Sequence, residues 1–128
     1  MSDINIDETI ESADKKAKQL PNPTGFHLLC MVPKIEEEFG GTGILKAGES
    51  VRVEELTTVI LFVAKVGPDA YKDPAKFPSG PWCKVGDFIV VRTYAGTRLR
   101  IHGTEWRLIN DDTVEATVED PRGISRAG

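Results

Sequence analysis

Few residues of this chain have the type and spacing that catalysis needs. Cys30 and Cys83 lie far apart in the chain, each with apolar or aromatic neighbours and neither in a CxxC pair, so they read as two buried, reduced thiols. His27 and His102 have no ligand partner at metal spacing, and no metal site is expected. Ser50, Ser79 and the two histidines form no nucleophile and base arrangement. The run Glu36-Glu37-Glu38 reads as the solvated base of a loop, and Gly40-Gly41-Thr42-Gly43 lacks the lysine and the helix of a phosphate loop. No catalytic residue and no cofactor is expected, which leaves binding as the chemistry to look for.

Two patterns could bind. Arg92, Tyr94, Arg98, Arg100, His102, Trp106 and Arg107 interleave basic and aromatic side chains, as small barrels that read nucleic acid do. Against that reading, 16 basic residues face 20 acidic ones for a net charge of −4, so the chain has no global field for polyphosphate. The second pattern is Ile44-Leu45, the only adjacent pair of large aliphatic residues between Ile35 and Val59, set among Gly40, Gly41, Gly43 and Gly48. A segment so rich in glycine has no core of its own, and a partner's pocket would explain the pair. The alternative is that it folds back onto the chain's own barrel.

The elements that must position these residues are mostly strands. From Asn5 to Leu20 the residues Ile6, Ile10, Ala13, Ala17 and Leu20 recur at steps of four and three, which predicts a helix with one narrow apolar stripe. It is either a frayed arm or a docking helix, and Pro21 and Pro23 end it. Beyond Pro23, β-branched and aromatic runs alternate with Gly, Pro and Asp, predicting strands over 26–32, 57–66, 87–92, 98–102, 105–109 and 113–118. Alternation in the fourth run sends Leu99 and Ile101 inward and the basic side chains to water. Residues 35–55 read as a long functional loop, and 67–81, with four prolines, as an ordered excursion. Val85-Gly86-Asp87 reads as a turn in which glycine takes a positive φ and the aspartate bonds a nearby amide.

Size and composition set the frame. A chain of 128 residues and 14.0 kDa, 40% apolar and 28% charged, fits one globular domain. It has no apolar run near the roughly 18 residues of a membrane span, and its start lacks a signal peptide's basic and apolar regions. A soluble, cytoplasmic protein is expected.

Over roughly Pro23 to Asp120 the pattern resembles the co-chaperonin family, the GroES-type lids of chaperonin cages. The resemblance rests on Lys84-Val85-Gly86-Asp87-Phe88-Ile89-Val90-Val91, then Tyr94-Ala95-Gly96-Thr97, Gly103 and Asp111-Asp112-Thr113-Val114-Glu115-Ala116, with Phe62-Val63-Ala64-Lys65-Val66-Gly67-Pro68 upstream. It implies an all-β fold: a small GroES-like β-barrel over 23–120 with a mobile loop at about 35–55 and a roof segment at about 67–81. An extra helical arm (1–22) and a flexible tail (121–128) lie outside the family core. It further implies a non-enzymatic ring, a heptamer in the family, that caps a GroEL-type chaperonin ring in its ATP-bound state. By the same resemblance Gly43, Ile44 and Leu45 lie where the chaperonin-binding motif would be, Gly43 replacing the first apolar anchor. Phe26, Leu28, Cys30, Val114, Ala116 and Val118 fall on the strands that make ring contacts. The arm, the tail and the proline-rich roof resemble the divergent co-chaperonins of some bacteriophages. A nucleic-acid-binding barrel and a structural ring without a chaperonin partner are the alternatives; neither nucleic acid nor membrane is an expected partner.

Overall fold

The computed structural model describes residues 19–34 and 58–127. The predicted helix over 5–20 falls outside them except at its last two residues, and most of the predicted loop over 35–55 is outside as well. Six strands follow in chain order: β1 (His27–Met31), β2 (Ile60–Val66), β3 (Phe88–Val90), β4 (Thr97–Ile101), β5 (Thr104–Asn110) and β6 (Ala116–Val118). All pair antiparallel in one sheet of order β4-β5-β1-β2-β3-β6. The fold is all-β, as the resemblance implies.

One face of the sheet carries the main core. Leu28 and Cys30 of β1, Leu61 and Val63 of β2, Ile89 of β3 and Ile109 of β5 are all at or below 1% exposure, and each fully buried aliphatic side chain contributes about 1.5–3 kcal/mol. Ala64 is an extra residue in β2: Leu29 pairs with Lys65 but Cys30 with Val63, so a bulge bends the strand there. Beyond β2 the chain leaves the sheet over 68–83 and folds across the core face, burying Ala70, Tyr71, Phe77 and Cys83. Gly67 permits that departure, because a Cβ there would collide with the backbone oxygens of Gly25 and His27. The turn before β3 forms as the sequence predicts: Gly86 has φ 97°, and the Asp87 carboxylate accepts the Lys84 N–H at 2.9 Å.

A polar anchor holds the excursion down. Tyr71, at φ 61°, donates its N–H to the Asp111 carboxylate at 3.0 Å and its hydroxyl to the Asp111 carbonyl at 2.8 Å. The Asp111 N–H in turn reaches the Phe26 carbonyl at 3.1 Å. Asp111 is thereby drawn inside, 4% exposed, and Asp111–Thr113 form a single turn of 3-10 helix. This is why the last strand starts at Ala116 and not at Thr113. The two cysteines are buried and unbonded. Burial, reinforced by Cys83, pushes the Cys30 thiol up to about 12, and burial raises Cys83 as well, which keeps both protonated and unreactive.

The alternation expected of β4 holds for exposure, with Arg98 and Arg100 exposed and Leu99 and Ile101 half-buried. What is corrected is the side on which the main core lies. The main core lies on the arginine side of β4, because Arg98 is in register with Arg107, and Arg107 with Cys30. Leu99 and Ile101 are half-buried on the opposite face. β1 has no open edge: it is bonded to β5 on one side and β2 on the other, and the free edges among the described residues are β4 and β6.

Replacing Tyr71 with Phe removes only the hydroxyl and leaves a buried carbonyl short of a donor. Chemical denaturation should show a loss of about 1 kcal/mol with unchanged cooperativity; an unchanged midpoint would mean that this bond does not hold the excursion.

Candidate functional site

The glycine-rich segment is strung between two neighbouring strands. It leaves the sheet after β1 and returns just before β2, and these strands are antiparallel partners, with Met31 facing Phe62. Gly43, Ile44 and Leu45 lie outside the described residues, but both roots of the segment are fixed. On the outgoing side the Val32 N–H donates to the Glu105 carbonyl at 2.9 Å. On the returning side the Val91 N–H donates to the Val59 carbonyl at 2.9 Å, and the Thr58 hydroxyl bonds the backbone of Ile60. Both roots are therefore parts of the sheet's own hydrogen-bond ladder.

Beside the outgoing root lies a buried ionic cluster that reading the strands singly does not reveal. Glu105, 2% exposed, accepts two bonds from Arg98, Nε to Oε2 at 3.0 Å and Nη2 to Oε1 at 3.1 Å. Arg107, fully buried, donates its Nε to Oε2 at 3.0 Å. Burial works against the charge of the Glu105 carboxylate, but the bonds and charges of the two arginines outweigh it and hold the carboxyl below its ordinary value. The signal in the sequence is Glu105-Trp106-Arg107: opposite charges two apart share one face of a strand.

The six residues assigned to ring contacts do not share one environment. Leu28, Cys30 and Val114 point into the subunit's own core. Phe26 is 48% exposed and stacks on the His27 ring, centroids 5.1 Å apart. Ala116 is exposed and Val118 half-buried on β6, which pairs with β3 along one edge only. The free edge of β4 is flanked by Arg98 and Arg100, charges of the kind that discourage strand addition, whereas β6 presents Ala116, Thr117 and Val118.

The basic and aromatic set is dispersed in the same way. Arg107 is inside, Arg98 is engaged with Glu105, Trp106 is half-buried, and the His102 ring bonds the Gln19 side chain. Tyr94, at 62% exposure, and Arg92 stand in the turn between β3 and β4. Among the described residues no cluster of three or more His, Cys, Asp or Glu is placed to hold a metal ion, and no helix is long and apolar enough to cross a membrane.

Glu105→Gln keeps the shape and removes the charge the arginines share. Because the folded carboxyl titrates below its ordinary value of 4.5, its contribution is complete above that pH and is lost as pH falls through the lowered value. At neutral pH the variant should be less stable by about 3 kcal/mol. Its stability should also fall less steeply than the parent's on acidification below about 4.5. Urea midpoints across that range decide it; parallel profiles for parent and variant would contradict the assignment.

No family model matches the chain. Curated relatives do. The chain is 33% identical over 98 residues to the Co-chaperonin GroES of Caldicellulosiruptor saccharolyticus, a match spanning 77% of this chain and 96% of the relative. The same figures hold for the Co-chaperonin GroES of Caldicellulosiruptor bescii. That of Clostridium botulinum is 30% identical over 90 residues, spanning 70% of this chain and 89% of the relative. At this identity over nearly the whole length of the relatives, with an all-β sheet and a glycine-rich segment strung between neighbouring strands, the chain belongs to the GroES co-chaperonin family.

Proposed function

We propose that this protein is a ring-shaped lid that closes the folding chamber of a chaperonin during the partner's ATP cycle, contributing binding and no catalysis of its own. The observation that carries the reading is the match to curated co-chaperonins over 96% of their length. The rooted loop between β1 and β2 supports it, since a lid needs a segment that can order on docking while its barrel stays intact. Ile44 and Leu45 are the anchors, and Gly43 with the neighbouring glycines is the hinge. Full burial of each anchor contributes roughly 1.5–3 kcal/mol. Several such loops on one ring add by multivalency, which offsets the absence of a larger side chain at Gly43.

Ring closure in this reading uses the free edge of β6, with Ala116 and Val118, and the exposed ring of Phe26, while Leu28, Cys30 and Val114 back these surfaces from inside. A heptamer is the family's assembly, and the cytoplasm is where its chaperonin partner works. The arm before Pro23 and the polar tail favour a bacteriophage-encoded member. Neither nucleic acid nor membrane is a partner in this reading.

The test pairs stability with capture. Ile44→Asp together with Leu45→Asp should leave the free protein's melting temperature nearly unchanged, since exposed loop substitutions cost less than about 0.5 kcal/mol. Capture by a purified bacterial chaperonin ring in the presence of ATP should be abolished, because carboxylates would be forced into an apolar groove. A large drop in melting temperature would place the pair in the barrel core. Retained capture would put the contact elsewhere, and a parent protein that forms rings but is never captured would make it a structural ring.

A further inference from the structure

The face of the sheet opposite the core is apolar from edge to edge. Register partners run across all six strands as one row: Leu99, Trp106, Met31, Phe62, Phe88 and Val118. Each is half-buried, and Phe62 and Phe88 touch with ring centroids 5.2 Å apart. Beside the row, on the same face, Leu29 is 0% and Ile60 1% exposed. A side chain on the outer face of a sheet loses all contact with solvent only when something lies over it, so this face is covered.

Three contacts show where the cover enters. The Gln19 side chain bonds His102, in the turn that joins β4 to β5. The Lys65 ammonium, on the covered face of β2, donates to the Leu20 carbonyl at 3.5 Å and to the Asn22 side chain at 2.9 Å. Residues 19–22 therefore run along this face from the turn between β4 and β5 to Lys65, and Gln19 marks the rim at which the preceding chain joins. That chain carries the stripe Ile6, Ile10, Ala13 and Ala17, which continues the period of Leu20.

We propose that the N-terminal arm, residues 1–18, seats this stripe on the six-strand row of its own subunit, making the arm an intramolecular cover for an otherwise open apolar face. Length permits most of the row to be covered: the part of the predicted helix over 5–18 would span about 21 Å, against about 24 Å between the outer strands of a six-stranded sheet. Contacts of Gln19 and Leu20 with the same chain favour its own arm over a neighbour's. The loop between β1 and β2 is the competing occupant, since its roots lie beside Met31 and Phe62.

Trp106 lies in the row and reports on it directly. With Trp82→Phe as background it is the sole tryptophan of a chain that has two. Acrylamide quenching of Trp106 should rise about twofold or more when residues 1–18 are deleted, as an apolar patch is laid bare. Ile6→Asp with Ile10→Asp in the full chain should do the same, with the β-sheet circular dichroism retained in both. Should the truncated chain lose its sheet signal, the aspartate pair alone decides. Unchanged quenching overturns the proposal. So does a rise seen only with Ile44→Asp and Leu45→Asp, which would make the loop the cover, or a rise on diluting the full chain, which would assign the cover to a neighbouring subunit. None of these readouts involves a chaperonin, so they stand or fall apart from the lid reading.

Discussion

The double pairing of β1 is the constraint from which the other features follow. Five residues, His27–Met31, are bonded to β5 along one side and to β2 along the other. Both of the strand's faces are buried at its centre, Leu28 and Cys30 on the core side and Leu29 on the other. A strand so enclosed has no edge left for another strand to join. Its C-terminal end is the outgoing root of the glycine-rich loop. Its N-terminal end leads back through Phe26 to Pro23, where the extra arm joins.

Polar groups fasten what the apolar core cannot reach. Asp111 ties the excursion, the turn before β6 and the start of β1 to one carboxylate and its backbone. Glu105 ties the edge strand β4 to β5 through two arginines, close beside the loop root. Each is a buried acid held by hydrogen bonds, three to the Glu105 carboxylate and one each to the Asp111 carboxylate and carbonyl. Removing a partner of such a group costs more than the net worth of the bond. Both points lie within the sheet and its turns, one beside the start of β1 and the other beside its end.

Much of this was legible in the residues. The six strand runs, the Val85-Gly86-Asp87 turn with its positive φ, and the proline-rich excursion follow from local chemistry, and the structure repeats them with ends shifted by a few residues. Alternation in 98–102 marked two faces but not which of them meets the core. That depends on Arg98 standing opposite Arg107 and Arg107 opposite Cys30, a matter of partner strands that no single run encodes. The central place of β1 was hidden for the same reason. Asp111 looked like an ordinary polar turn residue, since nothing near it in sequence announces Tyr71 as its partner. Gly43, Ile44 and Leu45, read from the sequence as apolar residues without a core, lie outside the described residues.

The lid account stands on assembly, because a lone subunit with a single loop can close no chamber. Native mass spectrometry at micromolar subunit concentration measures it most directly. A ring of the family's size predicts seven times 14.0 kDa, about 98 kDa with cyclic symmetry. A particle that remains at 14.0 kDa under those conditions would contradict it.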